Sequence, residues 1–224
     1  MIYLCGDTHG KLDIDKILNW EEKNSPNEND ILIILGDFGA IWYGNEKDNI
    51  ELTWWENKPY TILFLDGNHE NHVAISSYPE VELYGGRVNK IRENIYHFKR
   101  GEIFTIEDKT FFVMGGAKSI DRYARRENID WWPQEMPTKE EYDYALDKLA
   151  SVDWEVDYIL THCTDSHTLW LINHHYDVDT LTKFLSFIKD EYNLKYKHHY
   201  FGHYHIDAKL TPKETCLYNT MIKL

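Results

Sequence analysis

Five short polar clusters in the sequence carry side chains that could bind metal ions and transfer protons. Their candidate residues are aspartate, histidine and asparagine, namely Asp7, His9, Asp37, Asn68, His69, His162, His203 and His205. Imidazole, carboxylate and amide oxygen form a donor set that suits divalent ions such as Mn, Fe, Zn or Ni. The clusters therefore indicate a metal centre built from nitrogen and oxygen ligands, without a thiolate.

The spacing within two clusters also favours metal binding. Asp7 and His9 are separated by one residue, as are His203 and His205. In an extended segment this spacing points both side chains to the same face, so each pair could hold one ion. A glycine before each pair permits a sharp turn or a close backbone approach. Any one cluster alone is more often structural, but their joint occurrence in one chain favours a site.

The hydrophobic pattern predicts the elements that position these clusters. Apolar runs at 2–5, 31–35, 61–65, 156–160 and 199–201 are typical of strands, and each is followed by one polar cluster. In open α/β sheets, sites form beyond the carboxyl ends of strands. We therefore expect the five clusters to converge on one place.

The remaining chain alternates helical and strand patterns. Helices are predicted at 12–23, 46–58, 137–150 and 178–192. Further strands are predicted at 95–98, 103–106 and 110–114, with a C-terminal strand pair in 208–224. This order predicts an α/β fold of two stacked mixed sheets with helices outside, in a single domain spanning 1–224.

Composition narrows the class of protein. Hydrophobic residues make up 42% of the 224 positions and charged residues 28%, which is typical of a globular protein. No apolar run is long enough to cross a bilayer, and the N-terminus resembles no signal peptide, so we expect a cytoplasmic protein without membrane contact. The three cysteines, Cys5, Cys163 and Cys216, are too few and too scattered for a disulfide framework.

The charge balance bears on the substrate. The formal net charge is −14, so the surface repels phosphate backbones wherever no basic patch overrides it. Extended DNA or RNA is disfavoured as a partner. A phosphorylated small molecule or a phosphoprotein fits better, and the oligomeric state stays open.

The ordered series Asp-x-His, Gly-Asp, Gly-Asn-His-Glu, His and Gly-His-x-His resembles the metallophosphoesterase superfamily, the calcineurin-like phosphoesterases. The resemblance runs from Asp7 to His205 and misses no block. It implies a four-layer αββα sandwich and two divalent metal ions, of which Mn is the first choice and Fe, Zn and Ni are alternatives.

The resemblance also implies a role for each residue. The first ion would be held by Asp7, His9, Asp37 and His205, and the second by Asp37, Asn68, His162 and His203, with Asp37 as the bridge. His69 matches the family histidine that faces the substrate. Two such ions could supply a bridging hydroxide for in-line attack on phosphorus. His69 would then be the general acid, or alternatively a hydrogen-bond partner that orients a ligand.

Other segments refine this resemblance. The Asp-Arg pair that follows the second motif in phosphoprotein phosphatases is missing here, where Phe38 and Gly39 follow Asp37. The segment 115–132 is more similar to small bacterial and phage phosphoesterases. Within it, Arg122 and Arg125 are candidate phosphate ligands, because guanidinium matches phosphate geometry, with solvated surface positions as the alternative.

Three functions are compatible with these motifs. A phosphomonoesterase is preferred, and a phosphodiesterase for cyclic nucleotides, dinucleotides or nucleic-acid ends is the alternative, since both would use the same metal ions. A non-catalytic scaffold of the same fold is disfavoured because no expected ligand is missing.

Overall fold

The computed structural model describes residues 1–224 and contains two mixed β-sheets. The first has seven strands: β1 (Ile2–Cys5), β2 (Ile31–Ile34), β3 (Thr61–Phe64), β4 (Glu80–Leu83), β5 (Gly86–Lys90), β6 (Ile95–Phe98) and β13 (Ile222–Lys223). Their order in the sheet is β13-β1-β2-β3-β6-β5-β4. Strands β1, β2, β3 and β6 are parallel, so their carboxyl ends lie at one edge.

The second sheet has six strands: β7 (Ile103–Ile106), β8 (Lys109–Met114), β9 (Tyr158–Thr161), β10 (His198–Phe201), β11 (Ala208–Thr211) and β12 (Glu214–Cys216). Their order is β11-β12-β10-β9-β8-β7. Strands β8, β9, β10 and β12 are parallel. At the edges, β7 pairs antiparallel with β8 and β11 pairs antiparallel with β12.

Six α-helices connect the strands: α1 (Asp15–Asn24), α2 (Glu46–Glu56), α3 (His72–Ser76), α4 (Lys139–Ala150), α5 (Ser166–Ile172) and α6 (Thr180–Asp190). Helix α4 starts where the sequence predicts, because Thr138 and Glu141 form a reciprocal capping box. Two short 3₁₀ turns, Arg122–Ala124 and Pro133–Glu135, lie between β8 and α4. None of the helices is both long and apolar enough to span a membrane.

The sheets stack face to face between two helical layers. Adjacent residues of β1 point to opposite faces of the first sheet. Leu4 packs toward the second sheet with Val113 and Leu160, whereas Tyr3 packs outward against Trp20 of α1. On the other side, α4 and α6 cover the second sheet. The predicted four-layer sandwich of two mixed sheets is confirmed.

Three details differ from the sequence prediction. Helix α1 begins at Asp15 rather than near residue 12, because the backbone turns after β1 and the Asp13 N–H donates to the Thr8 carbonyl. The C-terminal segment forms three strands rather than a pair, and β13 crosses to the first sheet beside β1. The β4–β5 hairpin was not predicted because it is largely polar and only partly buried.

Candidate active site

All eight predicted side chains lie together, at the carboxyl ends of β1, β2 and β3 in one sheet and of β9 and β10 in the other. Three groups have ligand atoms close enough to share an ion: Asp7 with His9 and His205, Asp37 with His162 and His203, and His9 with Asp37 and His69. The distance from Asp37 Oδ2 is 3.2 Å to His9 Nε2 and 3.3 Å to His162 Nε2. The Asp37 carboxylate therefore lies close to histidines that belong to two of these groups.

Three buried polar atoms of the site have no hydrogen-bond partner. They are Asp7 Oδ2, Asn68 Oδ1 and His162 Nε2. Leaving a buried polar atom without a well-formed hydrogen bond costs about 1–3 kcal/mol, so three such atoms in one place favour a bound ligand. Two of them have a polar neighbour: Asp7 Oδ2 lies 3.1 Å from His205 Nε2, and His162 Nε2 lies 3.3 Å from Asp37 Oδ2. All three are donor types that coordinate divalent ions, and the donor set therefore fits the metal ions expected for this site.

Hydrogen bonds fix which histidine nitrogen faces the site. The Nδ1 atom of His162 donates to the carbonyl of Leu35 at 2.7 Å, which leaves Nε2 facing Asp37. The Nδ1 atom of His9 lies 2.6 Å from the Asp13 carboxylate, and this pairing directs Nε2 inward in the same way. Such partners orient a histidine ligand and increase its basicity.

The carboxylates and imidazoles also set each other's protonation. Burial opposes ionisation of Asp37, but nearby His162 holds its pKa well below the usual value. Burial lowers the pKa of His162 while the Asp37 carboxylate raises it, with a net rise to about 10. At His9 the same balance raises the pKa to about 9, whereas burial lowers that of His203 to about 4. The ionised carboxylate of Asp37 therefore stabilises positive charge on the neighbouring side chains of the site.

The backbone at these clusters is left-handed rather than extended. The φ angle is +43° at His9, +50° at Asp37, +70° at His203 and +52° at His205. The expectation that the paired residues converge along an extended segment is therefore wrong, although the side chains do converge. Non-glycine residues in this conformation are strained, and such strain concentrates at functional sites.

The glycines before the clusters permit close approach. A Cβ on Gly67 would overlap Asp37 Oδ1, and one on Gly202 would overlap Asp7 Oδ1. These positions therefore exclude any side chain, because the aspartates occupy that space. The expected role of these glycines in close packing is confirmed.

A hydrogen-bonded chain orients Asn68. Its Nδ2 donates to Ser119 Oγ at 3.3 Å, and Ser119 Oγ donates to the buried Glu135 carboxylate at 2.6 Å. Glu135 also accepts from the Ser119 N–H at 2.9 Å. Because the amide nitrogen is held on this side, the amide oxygen turns toward the site.

His69 lies at the rim of the site. Its N–H donates to Asp37 Oδ1 at 2.7 Å, its ring centroid is 5.3 Å from that of His9, and its ring stacks on Trp42 at 6.1 Å. Burial lowers the pKa of the His69 imidazole. The ring makes no hydrogen bond to another side chain, and one of its nitrogens lies close enough to ligand atoms of His9 and Asp37 to share an ion with them.

The two predicted arginines differ in their surroundings. Arg125 forms two 2.8 Å hydrogen bonds with the Asp121 carboxylate and is only partly exposed. Arg122 is exposed and lines a cavity beside His203 and His205. The structure therefore brings Arg122 to the site entrance without a carboxylate partner, whereas Arg125 already has one.

Several residues that support the site were not predicted from the sequence. Lys16 is buried and donates to the carbonyls of Asp7 and Tyr218. Glu70 accepts from the N–H groups of Gly39 and Gly67, and burial raises its pKa to about 8. Glu70 belongs to the Gly-Asn-His-Glu cluster, so that motif was the available signal. No sequence signal points to Lys16, Ser119 or Glu135, because the residues that they contact are distant in sequence.

Comparison with known proteins identifies the family. The family model described as calcineurin-like phosphoesterase matches residues 1–207. The chain belongs to the calcineurin-like phosphoesterases.

Solved structures agree with the fold. A Staphylococcus aureus protein assigned as a 5′-nucleotidase, in complex with alpha-ketoglutarate, matches with a TM-score of 0.50 and 14% identity, over 97% of this chain and 48% of that one. The protein TT1561 of Thermus thermophilus matches with a TM-score of 0.50 and 9% identity, over 96% and 87%. The chain thus spans about half the length of the staphylococcal protein. At these identities the likeness is one of fold. No curated protein sequence matches the chain.

Proposed function

We propose that the chain is a phosphomonoesterase with a dinuclear metal centre, for which Mn²⁺ is the first choice of ion. The observation that carries this proposal is the set of three partnerless buried atoms, on Asp7, Asn68 and His162, around the shared carboxylate of Asp37. One ion would be held by Asp7, His9, Asp37 and His205. The other would be held by Asp37, Asn68, His162 and His203.

The side chains around this centre have separate tasks. When bound, two divalent ions lower the pKa of a shared water and neutralise charge on the phosphoryl oxygens. In this proposal His69 is the general acid that donates a proton to the leaving oxygen. Trp42, stacked on His69, holds its ring, and the Asp37 carboxylate anchors its backbone.

The preferred substrate is a small phosphorylated molecule or a phosphoprotein. Support comes from the net charge of −14, which repels an extended nucleic acid. The acidic surface repels a small phosphoester less than it repels an extended nucleic acid, because the small ester has few charges.

The test is hydrolysis of p-nitrophenyl phosphate against bis-p-nitrophenyl phosphate, after chelation and reloading with Mn²⁺, Ni²⁺ or Zn²⁺. We expect the monoester to be cleaved faster. Asp37→Asn should abolish turnover and lose both ions, because Asp37 would bridge them. His69→Ala should keep both ions and turn over about 10²–10⁴-fold more slowly, the usual contribution of an acid.

Each alternative result has a definite meaning. Faster cleavage of the diester would replace the proposal with a phosphodiesterase. If His69→Ala loses metal as Asp37→Asn does, His69 is a ligand and the assigned roles are wrong.

A further inference from the structure

A cavity of about 650 Å³ opens beside the proposed metal centre. His203 and His205 form one wall, and the other walls come from segments 118–123 and 175–182. Its volume lies in the range of roughly 300–1,000 Å³ that is usual for small-molecule pockets. The cavity is therefore large enough to hold the leaving group of a phosphoester bound beside His203 and His205.

Two cations face this cavity without an acidic partner. Of the four basic residues in segment 118–126, Arg125 pairs with Asp121 and Arg126 pairs with Asp130, in both cases at 2.8–2.9 Å. Neither paired arginine lines the cavity, whereas Lys118 and Arg122 do, and neither of these forms an ion pair. In a chain of net charge −14, free cations at a cavity wall indicate an anionic ligand group.

Aromatic side chains are also available there. Tyr123, at the rim, is 88% exposed, and neighbouring Ile120 is 81% exposed. Across the cavity Tyr176 stacks on Tyr204, with ring centroids 5.9 Å apart. Exposed rings beside a cavity offer faces on which a planar heterocycle can stack.

Two carboxylates also line the wall, and one of them is already hydrogen-bonded, so two unpaired cations face one free carboxylate. Asp179 caps helix α6 and accepts from the Thr182 N–H at 2.9 Å, so its carboxylate is engaged. Asp177 is exposed and makes no hydrogen bond through its side chain. It can accept a hydrogen bond from a hydroxyl or amino group, which a nucleoside supplies.

Resting on the proposed function, we propose that this cavity binds the leaving group and that the substrate is a nucleotide carrying a phosphate besides the one removed. Arg122 and Lys118 bind the retained phosphate, and Tyr123 or Tyr176 stacks on the base. In the reaction, a water oxygen bonds to phosphorus and the bond between phosphorus and the ester oxygen breaks. The electron pair of that bond stays on the ester oxygen, which takes a proton. The products are inorganic phosphate and a nucleoside monophosphate.

The experiment compares kcat/KM for ribose 5-phosphate, AMP and adenosine 3′,5′-bisphosphate with the Mn²⁺-loaded protein, identifying products by chromatography. AMP differs from ribose 5-phosphate by the base, and adenosine 3′,5′-bisphosphate differs from AMP by the retained phosphate. We expect kcat/KM to rise about tenfold at each step. Arg122→Ala should lower the bisphosphate-to-AMP ratio about tenfold, and Tyr123→Ala should lower the AMP-to-ribose 5-phosphate ratio.

Arg126→Ala is the matched control, because Arg126 lies in the same segment but is paired with Asp130, and it should leave both ratios as in the wild type. Equal kcat/KM for AMP and the bisphosphate, or a ratio insensitive to Arg122→Ala, overturns the inference. This failure is distinct from failure of the proposed function, in which p-nitrophenyl phosphate itself would not be cleaved with any metal ion.

Discussion

Several of the proposed metal ligands have a second contact that decides which of their atoms faces the site. His162 and His9 use Nδ1 for the Leu35 carbonyl and the Asp13 carboxylate. Asp7 Oδ1 accepts from the His203 N–H at 2.9 Å, which leaves Oδ2 free. Preorganisation of this kind holds a metal ligand in place before the ion arrives.

Ser119→Ala tests this idea at Asn68. Without the hydroxyl, the Asn68 amide loses the acceptor that holds its nitrogen, and its oxygen is no longer directed to the second ion. We expect affinity for one of two Mn²⁺ equivalents to fall about 10–100-fold, measured by calorimetric titration of chelator-treated protein. Ser151→Ala removes an exposed serine hydroxyl and serves as the control. Weakening of both ions equally, or of neither, would contradict the orienting role.

At the scale of elements, strands deliver the ligands and tight turns aim them. Parallel β1, β2 and β3 end at one edge, but a strand alone would alternate its side chains between two faces. The left-handed residues that follow, such as Asp37 at φ +50° and His203 at φ +70°, turn successive side chains to one point. Glycine next to them provides the space.

Gly36→Ala and Gly85→Ala separate backbone strain from steric displacement. Both glycines are left-handed, with φ +88° and +81°, so each substitution should destabilise the fold by about 1 kcal/mol or somewhat more. A Cβ at Gly36 also overlaps the His162 ring, whereas one at Gly85 meets no atom within 4 Å. We expect both variants to unfold more easily but only Gly36→Ala to lose bound metal. Metal retention by Gly36→Ala would show that His162 is not required or can shift.

At the scale of the whole molecule, a second polar cluster joins α5 and α6 to the second sheet. Asp165, His199 and Glu214 have ligand atoms close enough for a metal ion. However, the Lys189 ammonium already lies among them, 2.7 Å from Asp165 Oδ2 and 3.0 Å from His199 Nδ1, and it also contacts Glu214. The partly buried Lys189 ammonium thus supplies the positive charge, and the cluster is structural.

This cluster predicts a pH dependence of stability. Burial and then Lys189 lower the pKa of His199 to about 4, from an ordinary value of 6.5. Between these values the unfolded chain binds a proton at His199 that the folded chain does not. The contribution of neutral His199 to the free energy of unfolding is therefore complete above pH 6.5. It is lost as pH falls toward 4, by up to about 1.4 kcal/mol per pH unit.

His199→Gln should flatten the fall in unfolding free energy between about pH 6.5 and pH 4.5, measured by urea denaturation with chelator present. His167→Gln is the control, because Asp190 raises the pKa of exposed His167 and its effect has the opposite sign. An unchanged slope in His199→Gln would exclude His199 as the titrating group.

The sequence by itself was sufficient for the fold class and for selecting eight polar residues that the fold brings together. Apolar runs of four or five residues are local signals, and so is a polar cluster directly after each run. The start of α4 is equally local, because Thr138 and Glu141 are three residues apart. Signals of this kind depend only on neighbouring positions, so they can be read before the chain is folded.

Only the tertiary structure decided the contacts between distant segments. Ser119 reaches Asn68 across 51 positions, and β13 pairs with β1 from the opposite end of the chain. It also decided that Arg125 is paired and Arg122 is not, which no spacing rule distinguishes. These contacts form when sheets and helices pack. A buried polar atom needs a hydrogen-bond partner, and the packing determines which partner is within reach.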